Sequence, residues 1–437
     1  MRRSPAILAI LRRAMYYTAC MKPWPKLRLS APLEGGPPSP SVHRDRRRVV
    51  AAIATLPWTS DVFARAAQTP DPQDGSDLIA LPGTRPLIKR TFRPPNFETP
   101  LANLREAFTP NDAFFVRYHL AVVPEVDARS WRLRIGGASA QKPVELSLQD
   151  LKRRFTQVSV AAINQCAGLR RGLFTPRVPG VQWEHGAVGN AVWTGIRLRD
   201  VLDHAGVRAD ATEVVFNGSD FGVLPATPDF MKSLPVDQAR NESTLIAFEM
   251  NGKPLPRWHG APARLVVPGW AATYWVKHLS EVRIEPHAFD GFWMKSAYRV
   301  PANAFPTVHY ASQETPETWP VTNLLINSLI TSHSDGDRLP HGKPAHLGGW
   351  AWDGGSGVTS VGVSVNGGPP QEASLGKDLG RFAWRAFELP LDTTTPGRIT
   401  VLVRATGRDG ARQPDSLTPN PSGYYHNAVQ RVELEVA

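Results

Sequence analysis

Trp131–Ile135 alternates apolar and charged positions, the two-residue period of a strand with one face buried. Leu148–Phe155 instead spaces its apolar residues as a helix does, and Ser147 stands where a helix cap is wanted. Leu198–Ala205 predicts a second short helix, stopped by Gly206. Val214–Phe216, Leu245–Phe248 and Arg264–Val267 are apolar runs of strand length. Helices and strands thus interleave over residues 96–286, and the helices are few and short. The pattern predicts an irregular, mixed α+β domain.

Beyond Thr322 the texture changes. Leu324–Ser328, Pro344–Trp352, Ser360–Asn366, Phe382–Leu389, Arg398–Ala405 and Val429–Val436 predict strands parted by Gly, Pro and Asp turns. Asn366-Gly367 is a hairpin signal, because both residues tolerate positive φ. About seven short strands in so short a segment predict an all-β, immunoglobulin-like sandwich over residues 322–437. Residues 287–321 are expected to link the two domains, and the Pro-rich residues 68–95 to run as surface coil.

Composition agrees with a chain of strands and loops: 437 residues, 42% hydrophobic, with 41 prolines and 35 glycines. The net charge of +11 first suggests a polyanionic partner. Its distribution argues otherwise. Residues 1–67 hold twelve Arg and Lys against three acids, so the remainder is nearly neutral and no nucleic acid is expected. Within that N-terminal extension, Arg44-Asp45-Arg46-Arg47-Arg48 precedes the apolar run Val49–Leu56 and then Ala64-Arg65-Ala66. Charge, short apolar core and small-residue site predict a secretory signal, and paired arginines suggest the twin-arginine route to the periplasm. The apolar run is short and ends at Pro57, so no membrane span is expected.

Only Cys20 and Cys166 could form a disulfide, and removal of the N-terminal segment would leave Cys166 alone. Gln165-Cys166-Ala167-Gly168-Leu169-Arg170-Arg171-Gly172 surrounds it with features that bear on chemistry. Glycine allows close approach of a bulky ligand. Nearby positive charge favours the thiolate. Arginines hold oxyanions. The residues alone support a soft metal and a nucleophile equally. Trp183 and Trp193, downstream, read as core.

This motif resembles that of the sulfite oxidase family of molybdopterin enzymes, especially the bacterial sulfite dehydrogenases, and the resemblance covers roughly residues 92–437. It implies Cys166 as the molybdenum ligand and Arg171 as a substrate-anion arginine. Leu169 stands where the family usually has Asn. Phe114-Phe115-Val116-Arg117-Tyr118-His119 is similar to a segment that implies Arg117 at the substrate and His119 at the pterin. Asn217-Gly218-Ser219-Asp220 implies Asp220 at the pterin. His259-Gly260-Ala261-Pro262-Ala263-Arg264 and Lys277 imply His259, Arg264 and Lys277 around the pterin phosphate. Phe292–Arg299 implies Tyr298 as a hydrogen-bond donor in the active site. The C-terminal half resembles the family's dimerisation domain, through Trp350–Gly355, Asn366-Gly367-Gly368 and Asn420–Tyr424. Ser356-Gly357 stands where family members commonly carry an arginine that reaches the substrate.

The resemblance implies a molybdenum–molybdopterin oxidoreductase that turns sulfite into sulfate by oxygen-atom transfer. No Cys-x-x-Cys-His and no dinucleotide fingerprint occur in the chain. Electrons are therefore expected to pass to an external soluble cytochrome c or a haem subunit, and a homodimer is an open alternative to such a pairing. Two other functions are weighed. A periplasmic molybdopterin reductase acting on sulfoxides would use similar residues, and Leu169 and Ser356 leave room for it. A non-catalytic binding protein built on the sandwich would need none of them.

Overall fold

The computed structural model describes residues 78–437; the expected export signal and Cys20 lie outside the described residues. The first sheet has four antiparallel strands, Leu78–Ala80, Pro86–Thr91, Asn96–Glu98 and Val116–Arg117. Two of these fall in the stretch expected to be coil, which corrects that expectation. Pro86 opens its strand, where a missing N–H does least harm. Gly83 turns the chain at φ 79°, and the Thr84 hydroxyl accepts the Leu81 N–H at 2.9 Å.

Two five-stranded sheets form the body of the first domain. One has the order Met231–Pro235, Glu213–Gly218, Leu279–Glu285, Arg132–Gly136, Val144–Ser147. The other pairs Gln157–Gln165 with Val188–Arg197 along nine residues and continues through Leu245–Met250. The helix Leu148–Arg154 starts at Ser147, whose hydroxyl accepts the Asp150 N–H while the Asp150 carboxylate accepts the Ser147 N–H. The helix Leu198–Ala205 ends at Gly206, at φ 74°. Trp183 and Trp193 are fully buried.

Residues 327–436 form two facing sheets. One contains Asn327–Ile330, Ala345–Trp352 and Arg385–Leu391; the other contains Val358–Val365, Gly397–Gly407 and Gln430–Val436. Along Gly397–Gly407 the alternation points Ile399, Val401, Val403 and Ala405 into a core shared with Leu347, Phe387 and Leu434. The first strand begins three residues later than Leu324–Ser328 predicts. Leu324 instead donates its N–H to Gly269 of the first domain at 2.8 Å, and Trp270 and Asn323 form a bridge. The segment expected to be a bare linker contains a helical turn, Phe292–Lys295, and a hairpin of Arg299–Pro301 with Thr318–Pro320.

Three tryptophans of the sandwich bond to the first domain. The indole N–H groups of Trp350, Trp352 and Trp384 donate to Leu104 O, Gln165 Oε1 and Ala107 O at 2.6, 2.7 and 2.7 Å. Gln165 immediately precedes Cys166, so the second domain bears directly on the cysteine loop.

Candidate active site

The strand Gln157–Gln165 delivers the chain to Cys166, whose N–H donates to Ala187 O at 2.9 Å. The next residues coil tightly, with Leu169 N–H on Cys166 O and Arg171 N–H on Gly168 O, both at 3.0 Å. Arg170 then adopts φ 63°, which sends the two arginines different ways. Arg170 runs into the second domain, donating to Asn327 Oδ1 at 3.0 Å and Ser328 O at 2.7 Å. Burial pushes its pKa down to about 10. Arg171 lies against Gly168, donates to Ser422 O at 2.8 Å, and stands over the Tyr424 ring. Leu169 is buried in the core.

Cys166 lines a narrow cavity of about 50 Å³. Seven further residues singled out in the sequence line the same cavity: Arg117, His119, Asp220, His259, Arg264, Lys277 and Tyr298. They come from widely separated segments. Arg171 does not line it; this arginine stands behind Gly168, and its charge acts on Tyr298.

The wall is rich in cations. Arg264 is buried, donates to His259 O and Trp275 O, both at 3.1 Å, and packs over the Trp193 ring. Burial pushes it down to about 9. Lys277 donates to Trp258 O at 3.1 Å and sits 3.3 Å from the Tyr118 ring centre. Enclosure, then the charge of Arg264, holds it well below the ordinary lysine value. Arg117 donates to Asn96 Oδ1 at 3.1 Å and to Tyr118 O. Asp220 is the one acid of the wall; burial pushes it up to about 6, against the pull of Lys277.

Both histidines are pushed toward the neutral form. His119 stacks on Phe230 with ring centres 3.6 Å apart, and its Nε2 shares a hydrogen bond with the Tyr298 hydroxyl. Enclosure, then Arg117, drives its pKa well down. His259 donates from Nε2 to Asn111 O at 3.1 Å, and burial takes it to about 3. Tyr298 has a left-handed backbone, φ 59°, and stacks on Tyr424 at 5.3 Å. Burial raises its phenol pKa.

Residues 119–293 match the family of oxidoreductase molybdopterin-binding domains, and residues 319–437 match the Mo-co oxidoreductase dimerisation domain. The mitochondrial sulfite oxidase of Macaca fascicularis is 35% identical over 393 residues, covering 86% of this chain and 70% of that protein. The sulfite oxidase of Arabidopsis thaliana is 30% identical over 391 residues, covering 83% of this chain and 97% of that protein. The chain belongs to the sulfite oxidase family. The sulfane dehydrogenase SoxCD of Paracoccus pantotrophus shares its fold, with a TM-score of 0.66 at 23% identity over 92% of this chain and all of that one.

Membership in the sulfite oxidase family makes the chain an oxidoreductase with a molybdenum cofactor, and removes the reading as a non-catalytic binding protein. Its residues fit that group. Asn164 Nδ2, Arg264 Nε and Thr273 Oγ1 are buried polar atoms without a protein partner, and all three residues line the cavity. Buried donors are rarely left unmet, so an anionic, acceptor-rich ligand is what this wall lacks. Cys166 is a free thiol beside it. Among the described residues no group of three His, Cys, Asp or Glu could hold a metal by itself. A single thiolate with a ligand that brings its own donors suits that inventory.

Asn164, Thr273, Phe230 and Trp275 also line the cavity and were not singled out in the sequence. Asn164 stands two residues before Cys166, on the strand that leads to it, and that adjacency is a usable signal. Thr273 carries none.

At the loop Gly354–Gly357, Arg381 donates from Nε to Gly355 O at 2.9 Å. The Asp353 carboxylate accepts the N–H groups of Gly355 and Gly357, both at 2.9 Å, and the Ser356 hydroxyl. Ser356 lines a different cavity.

Proposed function

We propose that this protein oxidises sulfite to sulfate and passes the electrons one at a time to a cytochrome c. The observation that carries the reading is the wall of Arg117, Arg264 and Lys277 around the Cys166 thiol, opposed by the single acid Asp220. Sulfite oxidases among its relatives support the substrate.

When bound, the molybdenum cofactor supplies the transferred oxygen and takes up the electron pair of the sulfur. Overall, sulfite and water give sulfate, two protons and two electrons. Cys166 would hold the metal through its thiolate sulfur. Arg264 and Lys277, with His259, would hold the pterin phosphate; cations made costly by burial become favourable once a buried anion meets them. His119 and Asp220 would bond the pterin.

Arg117 would orient the sulfite anion, with Arg171 adding positive field from behind Gly168 and offsetting charge that develops in the transition state. Tyr298 would present its hydroxyl to the substrate, held in place by His119. Enclosure favours the neutral form of His119, which can accept from or donate to that hydroxyl without carrying charge into the site.

The twin-arginine pattern supports export to the periplasm. The dimerisation-domain match supports a homodimer, and a haem subunit is the alternative partner. No helix among the described residues is long and apolar enough to cross a membrane.

The closed loop at Ser356-Gly357 favours a second reading, reduction of an uncharged sulfoxide, because neither residue brings a cation to a dianion. Two steady-state assays on one preparation decide between them. Sulfite with oxidised cytochrome c should turn over, and a sulfoxide with reduced dye should not; the reverse pattern establishes the reductase.

A further inference from the structure

Lys232 lies in the strand Met231–Pro235 and is 1% exposed. Its Nζ donates to Trp293 O at 2.7 Å. It stands 4.4 Å from the ring centre of Tyr274 and 5.2 Å from that of Tyr298. Among the described residues no carboxylate forms an ion pair with it. The nearby acid, Glu213, is already engaged by Ser312, Gln313 and the Phe289 N–H.

Burying an amine without a counter-charge is costly, and an apolar side chain of equal length would avoid that cost. Stability alone therefore does not explain a lysine here. Two tyrosine faces and one carbonyl are favourable partners for an ammonium group, but two of the three belong to the segment that carries Tyr298. Trp293 sits on the helical turn Phe292–Lys295, and Tyr298 follows it three residues after the turn ends. Tyr298 has the left-handed backbone that aromatic residues seldom adopt, so its surroundings must hold it there. Lys232 bonds one end of the segment and packs under the ring at the other. Arg299, next in sequence, ties down Met294 O at 2.9 Å. Trp293 in turn packs on Phe230 and His119.

We infer that Lys232 is a positioning residue for Tyr298: it fastens the 292–298 segment to the sheet and fixes the ring whose hydroxyl meets His119. It does not line the cavity, so it acts through Tyr298 and not on the substrate. The inference rests on the role given to Tyr298 in the proposed function.

The test is a double-mutant cycle on the molybdenum-loaded enzyme, with Lys232→Met and Tyr298→Phe. Lys232→Met should lower kcat/KM for sulfite about tenfold, through whichever of kcat and KM Tyr298→Phe changes; in the Tyr298→Phe background the same substitution should cost about twofold or less. Equal losses in both backgrounds would overturn the inference. If Lys232→Met does not load molybdenum, Lys232→Gln, which keeps a donor for Trp293 O, carries the same cycle. Crystal structures of the variants test the claim whatever the substrate proves to be. Displacement of the Tyr298 hydroxyl from His119 is expected, and an unmoved ring would refute it. Sulfite turnover by the wild type tests the proposed function separately.

Discussion

Arg171 lies flat against the backbone of Gly168: a Cβ built on Gly168 would stand 2.4 Å from Nη1. The cysteine loop thus needs glycine two residues beyond Cys166 to admit the arginine, which is also held by Ser422 O. Gly168→Ala must push that guanidinium away. We expect KM for sulfite to rise about tenfold, the value of roughly one charged hydrogen bond, with molybdenum content unchanged. Steady-state kinetics beside metal analysis checks this.

Arg170 joins the two domains. It is 1% exposed and bonds Asn327, Ser328, Ala428 and His185. Arg170→Met removes the donors and leaves buried carbonyls unmet. The expected cost is about 3 kcal/mol of stability, read from the denaturation midpoint of the loaded enzyme. A change below about 0.5 kcal/mol, the size of an ordinary surface substitution, would show that the strut is dispensable.

Arg264 lines the cavity, and its buried Nε has no protein partner. Replacing it with Met should strip a bound phosphate of a contact and yet relieve a buried charge. Molybdenum content after purification should fall severalfold, while the apoprotein, relieved of the charge but left with the His259 and Trp275 carbonyls unmet, should shift in melting temperature less than the loaded form does. Differential scanning of both forms separates the two effects.

Acid should destabilise the fold through buried histidines. His278 donates from Nδ1 to Ala261 O at 2.7 Å and accepts the Tyr118 hydroxyl on Nε2 at 2.8 Å, so its neutral form is the one the fold uses. Its pKa and that of His259 are about 3 in the fold, against 6.5 when unperturbed. The unfolded chain therefore takes up protons first. The stabilisation is complete above pH 6.5 and is lost as pH falls toward 3. Each histidine should cost about 2 kcal/mol between pH 7.5 and 5. Urea midpoints at the two pH values, for wild type and His278→Gln, should show a smaller drop in the variant.

Local signals in the sequence were legible where one short segment decides the outcome. Ser147 with Asp150 starts its helix, and Gly206 ends the next. Such signals failed where a distant partner decides. Leu324 looks like strand but pairs with Gly269 across the domain boundary. Pro-rich residues near 86 look like coil but complete a sheet with Asn96–Glu98. The site itself was legible only through its likeness to a family, because Arg117, Asp220 and Lys277 meet across more than a hundred residues. Lys232 was silent for the same reason. In sequence it is an ordinary lysine in a strand; only the packing of Tyr274 and Tyr298 around it marks it.

Metal analysis of the purified protein, with sulfite-dependent cytochrome c reduction on the same sample and on Cys166→Ser, decides whether Cys166 holds a working molybdenum centre. About one molybdenum per chain and turnover are expected in the wild type, and no turnover in a variant that remains folded. A wild type that holds no molybdenum when expressed with intact cofactor synthesis, or a fully active Cys166→Ser, would contradict that assignment.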